Sequence, residues 1–215
     1  MSHSIDPAVA ERLREVEAAI LARAPESDVD PTLAQITAVM ELLGDPQRSF
    51  PVIHVTGTNG KTSTTRIIEA LCREHGLRTG RFTSPHLHSL RERITIDGQP
   101  IPAEDFIEAY SQVIPVIELV EARDSARMNF FQTLVAIGYV AFADAPVDVA
   151  VVEVGLGGTW DATNVADGQV AVIAPVGLDH TRLLGSTVEA IATEKAGIVK
   201  PGAIAVSAEQ QDEVS

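Results

Sequence analysis

Gly57-Thr58-Asn59-Gly60-Lys61-Thr62-Ser63 is the segment whose residue types and spacing point most directly to chemistry. An apolar run, Pro51-Val52-Ile53-His54-Val55, precedes it, and a helix-patterned run from Thr64 to His75 follows. Strand, glycine-rich turn and helix start, in that order, make a phosphate cradle. Backbone N–H groups converge there, and the helix dipole favours negative charge. Lys61 can reach a terminal phosphate and Thr62 can offer its hydroxyl to Mg²⁺. Thr58, Asn59, Gly60, Lys61, Thr62 and Ser63 are therefore the candidate ATP-phosphate residues. The common P-loop spacing wants a further glycine where Val55 stands, so only the shortened end of that motif is present.

Further along, Glu153 closes an apolar run, Val147 to Val154, and three glycines follow at Gly155, Gly157 and Gly158. An acid at the end of a buried strand opposite a phosphate loop is where a Mg²⁺-binding carboxylate belongs. The alternative is a buried acid paired with a base. His180 follows a third apolar run, Val170 to Pro175, and reads equally as a site residue or a structural histidine. Lys195 lies between Glu194 and Ala196 in a helical stretch. By position alone it reads as a solvated helix lysine.

These side chains need elements to carry them. Helices are expected at Ala8 to Arg23, Pro31 to Leu43, Thr62 to His75, Ala103 to Ala122 (kinked at Pro115), Asn129 to Ala143 and Thr187 to Gly197. Strands are expected at Phe50 to Thr56, Arg78 to Thr83, Arg91 to Ile96, Val147 to Val154, Val170 to Pro175 and Ala203 to Ser207. Asp97-Gly98-Gln99-Pro100 reads as a turn, and Ser84 to Leu90 as a loop. Alternating strands and helices imply an α/β fold with a doubly wound, mostly parallel sheet. Ligands sit at the carboxyl ends of such strands, so the loops after Thr56, Thr83, Val154 and Pro175 should converge.

The composition suits one α/β domain: 215 residues, 45% hydrophobic and 21% charged. We divide it into a helical lead-in (1–49), a P-loop core (50–207) and a polar tail (208–215). The net charge of −14 argues against nucleic-acid or membrane-surface partners, which need positive potential. A bound polyanion must then be held by local design. The single cysteine, Cys72, excludes an internal disulfide and is expected to be buried as a small hydrophobe. Neither a signal peptide nor a run of membrane-spanning length is legible, so a soluble cytoplasmic protein is expected; separately, a monomer is expected.

Four stretches together resemble the folylpolyglutamate synthase/dihydrofolate synthase family, relatives of the Mur ligases. They are Pro51–Thr65 (PVIHVTGTNGKTSTT), Phe82–Ile94 (FTSPHLHSLRERI), Asp148–Asn164 (DVAVVEVGLGGTWDATN) and Leu178–Gly202 (LDHTRLLGSTVEAIATEKAGIVKPG). The resemblance runs from about Pro31 to Gly202 and looks like the ATP-binding domain of a bifunctional bacterial member. It implies a Mur ligase central-domain-like fold and an ATP-dependent ligase. That ligase phosphorylates the carboxylate of dihydropteroate or a folate, and the amino group of L-glutamate then displaces phosphate.

The resemblance also implies residue roles. The Gly57 to Ser63 loop binds ATP. Thr62, Ser84 and Glu153 look like ligands of one Mg²⁺, and His180 and Lys195 of a second. Lys195 matches a lysine that is carbamylated in the family, which overturns its bland reading. Lys61, Lys195 and His180 are thus the catalytic candidates. Ser84, Pro85, His86, Phe131 and Asp161 resemble the folate or pteroate pocket, with Phe131 stacking on the pterin ring and Asp161 accepting its N–H groups. Two departures remove charge near that pocket: Gln132 stands where relatives often have Glu, and Thr159 where many have Arg. Family members are about twice this length and add a Rossmann-like, glutamate-binding domain that this chain lacks. A Mur-type cell-wall ligase domain and a non-catalytic nucleotide-binding module remain the alternative readings.

Overall fold

A computed structural model describes residues 5–28, 30–124 and 127–214. Residues 1–4 of the expected lead-in, Val29 of its loop and Ser215 of the tail lie outside them. The framework is a seven-stranded sheet. Its strands are β1 (Val52–Thr56), β2 (Thr79–Phe82), β3 (Ile94–Ile96), β4 (Gln99–Pro100), β5 (Val149–Glu153), β6 (Val170–Ile173) and β7 (Ile204–Ser207). The spatial order is β4-β3-β2-β5-β1-β6-β7. Strands β2, β5, β1, β6 and β7 run parallel, and β3 and β4 return antiparallel at one edge. The doubly wound, mostly parallel sheet expected from the sequence is what forms.

Every residue of β5 is buried, as a strand flanked on both sides and covered on both faces must be. Alternation then assigns the faces. Val52, Phe82, Ala150 and Val152 join the main core with the helices α1 (Pro7–Leu21), α2 (Ala34–Leu42), α4 (Ala103–Asp124) and α5 (Phe130–Asp144). The hydrophobic α5 is buried over almost its whole length and opens on a reciprocal cap between Asn129 and Gln132. Helix α1 starts at Pro7, with Asp6 accepting from the Ala8 N–H, and buries Leu13, Val16 and Ile20. Helix α4 runs unbroken through Pro115.

The opposite face carries α3 (Lys61–Glu74), and its contact with the sheet is polar. Its buried residues are Thr65 and Glu69, while Ile67 and Leu71 face solvent. Glu69 accepts from the Thr79 hydroxyl at 2.8 Å and from Arg81 at 3.2 Å. Cys72 is half-buried rather than buried, because the helix turns its charged stripe inward.

Two local readings change. Gln99 and Pro100 are the short strand β4, not turn; only Asp97 and Gly98 turn, both at positive φ. The 90–93 segment is a 3₁₀ turn capped by Ser89 and Glu92, so β3 starts at Ile94. The structure adds α6 (Thr181–Leu184) ahead of α7 (Val188–Ala196).

Replacing Glu69 by Ala leaves the half-buried Arg81 guanidinium without its carboxylate, and the Arg81 Nε already has no partner. Glu69→Ala is expected to cost about 3 kcal/mol. A urea titration should read this as a lowered midpoint at unchanged slope.

Candidate active-site cleft

The loops after β1, β2, β5 and β6 meet at the carboxyl edge of the sheet around a cleft of about 690 Å³. Parallel pairing sets its floor. Val55 sits opposite Glu153 and Thr56 opposite Ile173, so the loop after β1 leaves the sheet between β5 and β6. Val55 is buried in the sheet, where it supports the loop as strand rather than as turn.

Gly57 has a φ of 147°, and a Cβ there would lie 2.7 Å from that of Ala174. Gly60 takes the left-handed conformation at the start of α3, which has no side-chain cap. The first amides of α3 are thus unclaimed and available to an anion. Two loop amides are already used: those of Thr58 and Asn59 donate to the Pro175 carbonyl at 2.9 and 3.2 Å. The Thr58 hydroxyl donates to the Gly177 carbonyl, pinning the loop to the segment after β6. Lys61 curls over its own loop, donating to the Gly57 and Thr58 carbonyls at 3.0 and 3.3 Å.

Glu153 points from the end of β5 at this loop. One oxygen accepts from the Thr62 hydroxyl at 2.7 Å and the other from the Ser84 amide at 3.3 Å. Burial raises its pKa, against the opposing pull of those donors and of Lys61 and Arg66. No salt bridge closes on it among the described residues, so it is not the ion-paired acid of the alternative reading. Among these residues no three His, Cys, Asp or Glu side chains cluster as a metal cage. One carboxylate with hydroxyl oxygens nearby does fit Mg²⁺, which takes few protein ligands and completes its shell with phosphates and water.

The far wall holds Phe131 and Asp161. Phe131 packs edge-on against Phe82 and covers Gly155, where any Cβ would lie 2.4 Å from the ring. Asp161 is buried yet lines the cleft. Its carboxylate accepts from the Thr163 amide and hydroxyl and from the Leu156 amide. Burial pushes its pKa up, and these donors oppose that.

The cleft gathers Thr58, Asn59, Gly60, Lys61, Thr62, Ser63, Ser84, Pro85, Phe131, Glu153, Asp161 and His180. His180, at a φ of 47°, starts α6, and its ring lies 3.7 Å from the Asp179 carboxylate. Two expected residues are placed differently. His86 does not line the cleft: its Nδ1 accepts from Arg93, which also pairs with Glu26 and lies 5.0 Å over the Phe130 ring. Lys195 lies in α7, 4% exposed, just behind the wall. A Cβ at Gly158 would meet the Lys195 carbonyl at 2.6 Å. Thr159 stays outside, bonded to the Glu194 carbonyl, whereas Gln132 lines the cleft and spends its side-chain oxygen on the Asn129 amide.

Sequence reasoning missed Glu26, Asp30, Trp160 and Arg182, all of which line the cleft. The N-x-x-Q spacing of Asn129 and Gln132 was a legible capping signal. The approach of Glu26 through its pair with Arg93 spans 67 positions and left no local sign.

A parallel sheet with a glycine-rich loop at a helix start defines the class: an α/β nucleotide-binding domain of the P-loop type. No protein-family model matches the chain. A curated dihydrofolate synthase/folylpolyglutamate synthase of Mycobacterium tuberculosis is 50% identical over 194 residues, covering 87% of this chain and 40% of that relative. The solved Mycobacterium tuberculosis folylpolyglutamate synthase complexed with ADP superposes with a TM-score of 0.88 at 47% identity, covering 96% of this chain and 47% of that one. An FPGS–AMPPCP–folate complex superposes with a TM-score of 0.88 at 37% identity, covering 94% of this chain and 49% of that one. The chain spans less than half the length of each of these relatives. Over most of its length the chain is similar to members of the folylpolyglutamate synthase/dihydrofolate synthase family, and its fold is theirs. Among the described residues no helix is long and apolar enough to cross a membrane.

Burial, with Lys61 nearby, lowers the Lys195 pKa from 10.5 to about 8; Asp179, Asp161 and Glu194 oppose the shift. Below pH 8 both folded and unfolded chains carry this proton, and above 10.5 neither does. Between them only the unfolded chain holds it, so this group makes stability rise with pH across that window. In CO₂-free buffer, denaturation at several pH values should show that rise, and Lys195→Met should flatten it.

Proposed function

We propose that this chain is the ATP- and folate-binding part of a ligase that adds L-glutamate to dihydropteroate, to folate polyglutamates, or to both. One observation carries the reading: the phosphate loop, the Glu153 carboxylate and the Phe131–Asp161 wall line the same cleft. A nucleotide triphosphate and a flat, hydrogen-bonding acid could lie there end to end. Glutamate-binding groups are assigned to a further domain, in keeping with the greater length of the relatives. The protein is read as cytoplasmic and monomeric.

The chemical problem is that both substrates are anions. The amides at the start of α3 and the Lys61 ammonium hold the phosphates, once Lys61 releases its own loop carbonyls. Thr62, Ser84 and Glu153 would hold one Mg²⁺; its charge would screen the phosphates and favour attack at the γ-phosphorus. The substrate carboxylate oxygen attacks that phosphorus, the bond to the β-phosphate oxygen breaks, and ADP leaves. The glutamate nitrogen then attacks the acyl carbon, phosphate departs, and the amide nitrogen sheds its extra proton. Phe131 offers its ring to the pterin, and Asp161 accepts from its N–H groups. Ser84, Pro85 and His86 belong to the loop over this pocket.

The second metal site, at His180, needs an anionic Lys195. With its pKa near 8, that amine is neutral often enough to add CO₂, forming an N–C bond and releasing a proton. The product is a carboxylate-like oxygen donor. Protein equilibrated with ¹³C-labelled bicarbonate should show a carbamate resonance that Lys195→Met removes; a spectrum without it sinks the second site.

For the phosphate grip, Lys61→Ala should weaken binding of a non-hydrolysable ATP analogue with Mg²⁺ by at least about tenfold. The thermal unfolding curve should shift only slightly, because the Lys61 ammonium bonds to its own loop and acts on Glu153 through its field alone. In the complete protein the same change should abolish phosphate release driven by dihydropteroate and glutamate. Undiminished turnover would remove the assignment.

A further inference from the structure

His54 is fully buried in the middle of β1, on the sheet face that meets α5. None of the site chemistry above uses it. Its Nε2 lies 2.8 Å from the Thr163 hydroxyl oxygen, and its Nδ1 has no partner. The Thr163 hydroxyl in turn bonds to Asp161 Oδ1, as does the Thr163 amide. The Thr163 carbonyl accepts from the Tyr139 hydroxyl at 2.7 Å. Every polar group of Thr163 is thereby committed, and the chain of contacts ends in the cleft.

Proton counting orients this chain. Asp161 Oδ1 accepts from an amide, so the Thr163 hydroxyl gives it its single proton. That hydroxyl oxygen must then accept from His54, which places the imidazole proton on Nε2 and leaves Nδ1 bare. The unpartnered Nδ1 is what this tautomer predicts. Burial and the nearby Lys200 push the His54 pKa down to about 3, so the ring stays neutral and the orientation does not switch at ordinary pH.

We propose that His54 is a positioning residue for the substrate pocket: through the Thr163 hydroxyl, its Nε2–H fixes the orientation of the Asp161 carboxylate in the cleft. The inference rests on the reading of Asp161 as the group that meets the pterin. Without His54 the hydroxyl can rotate away, and the carboxylate loses a fixed donor. The consequence is selective, because the His54 ring hydrogen-bonds to Thr163 and, among the described residues, to none of the phosphate loop's side chains. It acts on the acid substrate and not on the nucleotide.

The test compares His54→Leu, which keeps volume but loses the donor, with His54→Gln, whose amide can donate from the Nε2 position. Thr163→Val removes the intermediate hydroxyl while keeping the shape. In the full chain, His54→Leu and Thr163→Val should each weaken dihydropteroate binding by about tenfold, the worth of one hydrogen bond to a charged group. Affinity for the ATP analogue should stay within twofold, and His54→Gln should recover most of the loss. The ¹³C resonance of the Asp161 carboxyl should titrate at higher pH in His54→Leu and Thr163→Val, because the Thr163 bond lowers its pKa. An unchanged Asp161 titration in both overturns the proposal, as does equal weakening of both ligands in all three variants. If wild-type protein binds no dihydropteroate, the substrate reading fails, and the Asp161 titration still decides what His54 does.

Discussion

Parallel pairing of β5 beside β1 is the constraint on which the site depends. Its register places Glu153 level with Val55, one strand away from the turn that begins at Gly57. A carboxylate so placed is costly, since it is buried and no cation touches it. Three things offset that cost here: the Thr62 hydroxyl, the Ser84 amide, and the fields of Lys61 and Arg66. All of them come from the loops and helix of the cleft. A one-residue slip of β5 would turn Glu153 to the opposite face, toward α5, and bury it in an apolar core with none of these partners. Fold and site are therefore specified by the same hydrogen bonds.

The global field works against a phosphate ligand, at a net charge of −14. Selection for anion binding has to be local, and the fold supplies it through dipoles more than through charges. The uncapped start of α3 collects amides at one point, and among the described residues Lys61 and Arg182 are the lysine and arginine that reach the cleft. Acidic groups on the same walls, Glu153 and Asp161, are held by backbone donors and hydroxyls instead of by lysines or arginines. Their negative charge stays available to cations or N–H donors on a ligand, because no permanent ion pair neutralises it.

Much of this was legible in the sequence, for reasons that differ by element. The apolar runs of β1 and β5 and the glycine loop between β1 and α3 are local signals, and they appear where periodicity puts them. The face of α3 was not legible. The sequence suggests that Cys72 is buried, whereas the structure buries Glu69, whose partners Thr79 and Arg81 lie on β2. Only strand register makes a glutamate preferable there. His86 shows the same limit at the site. It sits next to Pro85 in a segment rich in site residues, yet Arg93 draws its ring toward Phe130. By position alone Lys195 reads as solvated; the family resemblance sets that reading aside, and the packing of α7 under Gly158 shows the burial.

The loop satisfies itself through its own hydrogen bonds, and this bears on how it would hold a phosphate. The Lys61 ammonium rests on two carbonyls of its own loop, and two amides are spent on Pro175. Had these groups pointed into an open cleft with no partner but water, the loop would have little to hold its shape. Because they are paired, a phosphate must replace bonds rather than make them for the first time. In binding a phosphate, Lys61 would trade neutral carbonyls for an anion, an exchange that favours the phosphate since charge-assisted bonds are about twice as strong as neutral ones. The Pro175 bonds are a different case. They join the loop after β1 to the end of β6, and retaining them keeps Gly57 against Ala174 and the amides of α3 aimed at one spot. On the proposed reading, the grip on a nucleotide would separate into a fixed part, set by the sheet, and one side chain, Lys61, that changes partners.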